Sequence, residues 1–320
     1  MRRRRAAALA ITSLFAAAAI AGCGSATSSS SHPGAAADTY TSVTATGTFG
    51  KTPTVKIPAA TGSGALYTKT VIQGTGVALT SAQSLLGDFV MYDWSGKTHK
   101  LIGSTYSNGT PTLFAGSLLP GLEKALIGQK VGSRVLAVIP PADAFGTTGN
   151  SEIGVGAKDT VIFVVDMLKT FDNTVGVPGK QANSGGGALP TVTAGAAGKG
   201  PTITIPKTAA PTTLQVKVLV KGTGAKVTKG QYLVVQYTGM LWRTKKVFDS
   251  SWSRGVPWST PIGAGQVVSG WDKGLVGQTV GSRVLLVIPP VDGYGKTGQS
   301  AAGIKATDTM VFVIDIIAAS

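Results

Sequence analysis

The chain is predicted to be an α+β protein made of two tandem copies of one unit, each an antiparallel sheet crossed by one short helix. Three observations predict this. The stretch GSRVLAVIPPADAFG at 132–146 returns as GSRVLLVIPPVDGYG at 281–295, and over the wider 128–151 and 277–300 the two copies agree at 17 of 24 positions. Most other apolar segments have strand length and either alternate with period two or run as β-branched blocks. Gly 44 and Pro 16 in 320 residues supply many turns and leave little room for long helices. Two copies 149 positions apart are a domain duplication; a solenoid needs shorter and more numerous repeats.

From the N-terminus, Arg2 to Arg5 form a charged leader and Leu9 to Ala21 an apolar run, the pattern of a processing signal. The run is short for a membrane span, which needs about 20 apolar residues. It ends in Ile20-Ala21-Gly22-Cys23, which resembles a bacterial lipobox and implies removal of residues 1–22 and lipid attachment to Cys23. The other reading is a secretory signal with a chance cysteine. Cys23 is the only cysteine, so no disulfide is expected. The expected location is the extracytoplasmic face of the cell membrane, through a lipid anchor.

Residues 23–53, rich in Ser, Thr, Ala and Gly, read as a disordered tether. The first unit spans 54–172. Its strands begin with KTVIQGTG at 69–76, and a short helix is expected at Pro120 to Leu126. SRVLAVIP and TVIFVVDML follow as buried strands. Residues 173–201, with three glycines at 185–187, read as a flexible linker. The second unit spans 202–320. KVLVKGTG at 217–224 opens it, YLVVQYTG follows, a helix is expected at Gly270 to Leu275, and SRVLLVIP and TMVFVIDII close it.

The formal charge is +15, or +11 without the four leader arginines. A basic surface beside a membrane fits anionic lipids or cell-wall polymers, and equally a merely solvated surface. Nucleic acid is not an expected partner, since no motif for it is present. His32 and His99 are the only histidines, so no metal site and no Ser/His/Asp arrangement in unit two are expected, and no cofactor is implied. GKT at 96–98 and 295–297 lacks the upstream glycine of a phosphate loop, and Gly263-Ala264-Gly265 lacks the third glycine of a dinucleotide fingerprint.

VVQYTG at 234–239, VFDSS at 247–251, QVVSGWDKGL at 266–275, IPPVDGYG at 288–295 and TMVFVIDI at 309–316 occur in one order and spacing. With them unit two resembles the FKBP-type peptidyl-prolyl cis-trans isomerases over 214–318. The resemblance implies a twisted antiparallel sheet wrapped around a short helix, with a hydrophobic pocket between. It implies that Trp271 floors the pocket, that Tyr237, Phe248 and Phe312 wall it, and that Tyr294 O–H and Val268 N–H donate to substrate carbonyls. It further implies that Asp249 accepts from Tyr237 and Arg254, with Trp258, Val267 and Ile304 completing the binding surface. Expected partners are proline-containing peptides, unfolded exported proteins and macrolide inhibitors, bound by a monomer. A non-catalytic proline-peptide or cell-surface binding lipoprotein is the alternative.

Tyr294 also stands out on its residues alone. Flanked by Gly293 and Gly295 and preceded by Pro289-Pro290, it reads as a large aromatic on a stiff loop, a position more often aimed at a site than at a core. In unit one the offset sets Phe89 at Tyr237, Ile102 at Phe248, Gly103 at Asp249, Leu122 at Trp271 and Phe145 at Tyr294, while Phe163 keeps Phe312. The hydroxyls and the carboxylate that would bond each other are lost together, which avoids an orphaned buried group. Unit one is therefore expected to keep the fold with a degenerate pocket.

Overall fold

The computed structural model describes residues 38–320 apart from 108, 183 and 197, so Cys23 and the leader lie outside the described residues. In the first half the strands are β1 (Thr44–Thr46), β2 (Thr54–Lys56), β3 (Tyr67–Ile72), β4 (Gln83–Ser95), β5 (Thr98–Ser104) and β6 (Thr112–Phe114). Helix α1 (Pro120–Leu126), β7 (Arg134–Ile139) and β8 (Thr160–Asp172) complete it. The second half repeats the series as β9 (Thr191–Thr193), β10 (Thr202–Thr204), β11 (Gln215–Val220), β12 (Tyr232–Leu241), β13 (Val247–Ser250), α2 (Ser251–Arg254), β14 (Trp258–Pro261), α3 (Ser269–Leu275), β15 (Arg283–Ile288) and β16 (Met310–Ala319). Each half holds a six-stranded antiparallel sheet. The orders are β3-β7-β8-β4-β5 with β6 also on β4, and β11-β15-β16-β12-β13 with β14 also on β12.

The runs RVLAVI and RVLLVI do not alternate because both faces of each sheet are covered, and every residue of β7 and β15 is buried. In the first half Val135, Ala137 and Ile139 face the core under α1. Leu136 and Val138 face the opposite way, into a second cluster with Tyr40, Val43 and Ala45. In the second half Val284, Leu286 and Ile288 lie with α3, while Leu285 and Val287 meet Val192 and Ile203. The helix sits low on its sheet because Gly270 and Gly274 present no side chain. A Cβ on either would come 2.6 Å from Ile288 or Leu286.

Two expectations are corrected by this outer layer. Residues 23–53 are expected to form a disordered tether; 23–37 lie outside the described residues, but from residue 38 on Tyr40 is 1% exposed and β1 pairs with β2 as a hairpin on the sheet's outer face. The linker was expected to be flexible, yet β9 pairs with β10 in the same position on the second sheet, with Val192 1% exposed. The physical reason is the exposed apolar back of each sheet, which three-residue strands with one inward residue each, buried in β1, β9 and β10 and half-buried in β2, suffice to cover.

Under each hairpin lies a buried ion pair. Arg134 grips Asp166 with both arms of its guanidinium, at 2.6 and 2.7 Å, and Arg283 grips Asp315 at 2.6 and 2.8 Å. The covering chain adds to the bonding. Gly50 N–H donates to Asp166 and Arg134 donates to the Lys51 carbonyl; on the second sheet Val177 N–H donates to Asp315.

The two halves touch. Leu86 and Phe171 of the first pack on Val234 and Ala318 of the second. Asn173 joins them, its side-chain oxygen accepting from Ser84 and its carbonyl from Gln236.

Candidate active site

Strand β12 carries Tyr237 and strand β16 carries Phe312, both turned toward α3, where Trp271 is 3% exposed. The Trp271 ring meets the rings of Tyr237, Trp258 and Phe312 edge to face, with centroids 5.5, 5.7 and 5.2 Å away. Phe248 stands edge-on to Phe312 at 5.5 Å. A cavity of about 440 Å³ opens against this cluster, lined by Tyr237, Phe248, Asp249, Trp258, Gln266, Val267, Val268, Trp271, Tyr294 and Phe312. Residues separated by 75 positions along the chain converge because the sheet sets β12 beside β16 and the helix beneath both.

One polar corner interrupts the apolar lining. Asp249 accepts hydrogen bonds from the Tyr237 hydroxyl and from Arg254, and Arg254 also donates to the Tyr237 oxygen at 2.9 Å. The guanidinium lies 5.5 Å from the Tyr237 ring centroid, within cation–π range. Burial, and then the bond to Asp249, push the Tyr237 phenol up, so it stays a protonated donor.

Two loops close the mouth. The loop before α3, with Val267 and Val268, is tied down by Asp272, whose carboxylate accepts from Gly263 and Gly265 N–H at 2.6 and 2.9 Å. The Tyr294 loop is tied to α3 through Asp292, which accepts from Lys273 at 2.5 Å and Ser269 at 3.0 Å. Lys273 holds the Asp292 carboxyl below its ordinary range. Tyr294 is 39% exposed; partial burial, and then the Asp249 charge, push its phenol up and keep its O–H a donor.

Of the residues singled out in the sequence, Tyr237, Phe248, Asp249, Trp258, Val267, Val268, Trp271, Tyr294 and Phe312 share this cavity, and Arg254 braces its polar corner. Ile304 does not join them. It is 4% exposed and belongs to the core, pinned by backbone pairing with Gln299. Gln266 also lines the cavity and was not singled out, although it opens the motif QVVSGWDKGL. Among the described residues no cluster of three metal-ligating side chains occurs. The arrangement can grip an apolar ring and bond flanking amides, and offers no nucleophile.

The first half has the same frame with different side chains at these positions. Gly103 pairs with Met91 in the register where Asp249 pairs with Gly239, which supports the alignment across the longer hairpin. The Phe89 ring packs on Phe114 and Phe163, each at 5.8 Å. Opposite β4, Thr112 occupies the register position held by Trp258 on β12.

Sheet, helix and the aromatic cavity between them define a tandem α+β protein with a binding cavity in its C-terminal half. The sequence profile of the FKBP-type peptidyl-prolyl cis-trans isomerases matches residues 81–168 and 223–317, and the chain belongs to that family. It is 39% identical over 118 residues to an FK506-binding protein of Streptomyces anulatus, covering 37% of this chain and 95% of that one. A probable FK506-binding protein of Corynebacterium glutamicum is 36% identical over 119 residues, covering 37% of this chain and 98% of the relative. The rat peptidyl-prolyl cis-trans isomerase FKBP9 is 27% identical over 239 residues, 72% of this chain but 35% of the relative. The crystal structure of AtFKBP13 aligns with TM-score 0.32 and 35% identity, covering 35% of this chain and 96% of that one. The protein is a peptidyl-prolyl isomerase.

Proposed function

We propose that the isomerisation occurs in the C-terminal half, in the aromatic cavity over Trp271, and that it assists the folding of exported proteins at the outer face of the cytoplasmic membrane. Rotation about an X–Pro bond is slow because amide resonance sets a barrier of about 18–20 kcal/mol. At the upper end this gives a rate on the order of 0.01 per second. The twisted transition state loses resonance, so its carbonyl and nitrogen are less polar than in the planar amide. A dry aromatic cavity therefore penalises the twisted form less than the planar one, and each 1.36 kcal/mol of that difference is worth about tenfold in rate.

Trp271 forms the floor beneath the proline ring; Tyr237, Phe248 and Phe312 form the walls. Tyr294 O–H and the Val268 N–H hold the carbonyls on either side so that a single bond turns. Asp249 acts as a fixed acceptor that orients Tyr237 and Arg254, not as a base. The observation that carries this reading is the edge-to-face packing of three aromatic rings on Trp271 inside one cavity that Tyr294 also lines. Anchoring through Cys23 and the exported location rest on the lipobox-like leader alone. FK506 or a related macrolide is expected to compete for the C-terminal cavity.

The test is a cis/trans assay on a proline tetrapeptide with the full chain and with Trp271→Leu and Tyr294→Phe, which copy the first half. We expect kcat/KM to fall about tenfold or more for Trp271→Leu and several-fold for Tyr294→Phe. The double variant should approach the uncatalysed rate, since the first half lacks both groups. Unchanged turnover in both single variants would move catalysis elsewhere.

A further inference from the structure

We propose that the segment joining the two halves is a clamp that positions the catalytic cavity: it holds helix α2, and through it Arg254, against Asp249 and Tyr237. The inference rests on the assignment of that polar corner to the active site. Helix α2 has four residues, too few to fix its own orientation. Its position must come from what touches it.

One of its four side chains is held directly by the joining segment and a second through Gln236 of β12. Trp252 lies between two glycines of that segment. A Cβ on Gly176 would come 3.1 Å from Trp252 Cη2, and one on Gly200 would come 2.8 Å from Cδ1 and 3.1 Å from Cγ of the same indole. Ser251 is 0% exposed and its hydroxyl donates to Gln236 Oε1, while Gln236 Nε2 donates to the Asn173 carbonyl at 2.9 Å. The Ser251 oxygen also accepts from the backbone N–H of Tyr237 at 2.8 Å. A continuous hydrogen-bonded path therefore runs from Ser84 in the first half, through Asn173, Gln236 and Ser251, to Tyr237 in the cavity.

The next residues agree. Gly255 and Val256, directly after Arg254, face the first half across a cleft of about 270 Å³ lined by Leu79, Gln83 and Phe114. The clamp itself is anchored, since Val177 N–H donates to the buried Asp315. The first half keeps only the local part of this path: Thr105 accepts from Phe89 N–H and donates to Asp88. Arg254 and the clamp both belong to the half with the polar corner. The joining segment and the degenerate first half thus serve the reaction without touching substrate.

Two full-chain variants test this. Gly200→Ala adds one carbon against Trp252 and Thr238. Gln236→Glu keeps an acceptor for Ser251 but removes the donor to Asn173. Displacements near 1 Å can cost up to about 100-fold in rate, so we expect a fall of about tenfold in kcat/KM in Gly200→Ala and about threefold in Gln236→Glu, carried mainly by kcat. Shortening the indole by Trp252→Leu in the Gly200→Ala background should recover part of the loss, which general destabilisation would not allow. Lys199→Ala, beside Gly200 and exposed, should be neutral. Trp271→Leu is assayed alongside. If Trp271→Leu loses turnover while cooperatively folded Gly200→Ala and Gln236→Glu both stay within twofold of the parent, the clamp is wrong and the cavity stands. If Trp271→Leu is also unaffected, the cavity assignment itself fails.

Discussion

Asp93 shows how a single residue of the first half bears a cost the second half avoids. It lies on β4, is 8% exposed, and its Oδ1 has no partner among the described residues. Burial, and then the nearby Asp159 carboxylate, push its carboxyl up to about 6, with Lys100 on the paired strand partly opposing. The second half has Leu241 at this position, and its counterpart of Asp159, Asp308, is held low by Arg243. The folded chain binds the Asp93 proton more tightly than the unfolded chain does, so this stability is present below about pH 4 and lost as pH rises through about 6. Asp93→Asn is expected to add about 1–3 kcal/mol at pH 7 and almost nothing at pH 4, read from urea unfolding at the two pH values. An equal gain at both would exclude the carboxyl as the cause.

At the scale of elements, the decisive parts are the two outer hairpins and the ion pairs they seal. Arg134 and Asp166 are both 0% exposed. Removing one partner leaves a buried charge uncompensated, which typically costs about 3–5 kcal/mol. Arg134→Ala should lose that much by urea unfolding, whereas Arg134→Met combined with Asp166→Leu should recover most of it. The long strands of the inner sheet and helices α1 and α3 were legible because duplicated motifs marked them twice; α2, with no helical counterpart in the first half, was not. The hairpins were not, because TVT and TIT are three-residue strands inside Thr-, Ala- and Gly-rich sequence that resembles solvated coil. A signal did exist. RVLAVI and RVLLVI never alternate, and a strand apolar on both faces requires a cover on both. The cavity was largely legible, since all of its aromatics except Trp258 lie in a quoted motif. Ile304 was misplaced because a turn of Gly303 and the Gln299 pairing direct it inward. Gln236 was invisible because its role depends on where the joining segment packs.

For the whole molecule, charge separates the halves as clearly as chemistry does. Residues 202–320 carry thirteen Lys and Arg against five Asp and no Glu, a net of +8, while residues 54–172 carry nine Lys and Arg against six Asp and two Glu, a net of +1. All five aspartates of the second half are engaged internally, by Arg254, Gly263 and Gly265 N–H, Lys273, Arg243 and Arg283. Nine lysines remain without an ion-pair partner among the described residues. A positive field around the cavity favours encounter with acidic chain segments and weakens with salt. We expect kcat/KM on a proline peptide flanked by Glu to fall several-fold between 20 mM and 500 mM salt, with an uncharged peptide nearly indifferent. Equal salt responses would remove any role for the lysines in encounter.

The edge-to-face ring cluster has a further, optical consequence. Four of the five indoles sit in the second half, at 242, 252, 258 and 271, and only Trp94 is in the first. Near-ultraviolet excitation therefore reports mainly on the half with the cavity. A ligand settling over Trp271 should alter the emission directly, so occupancy can be followed in the unlabelled chain.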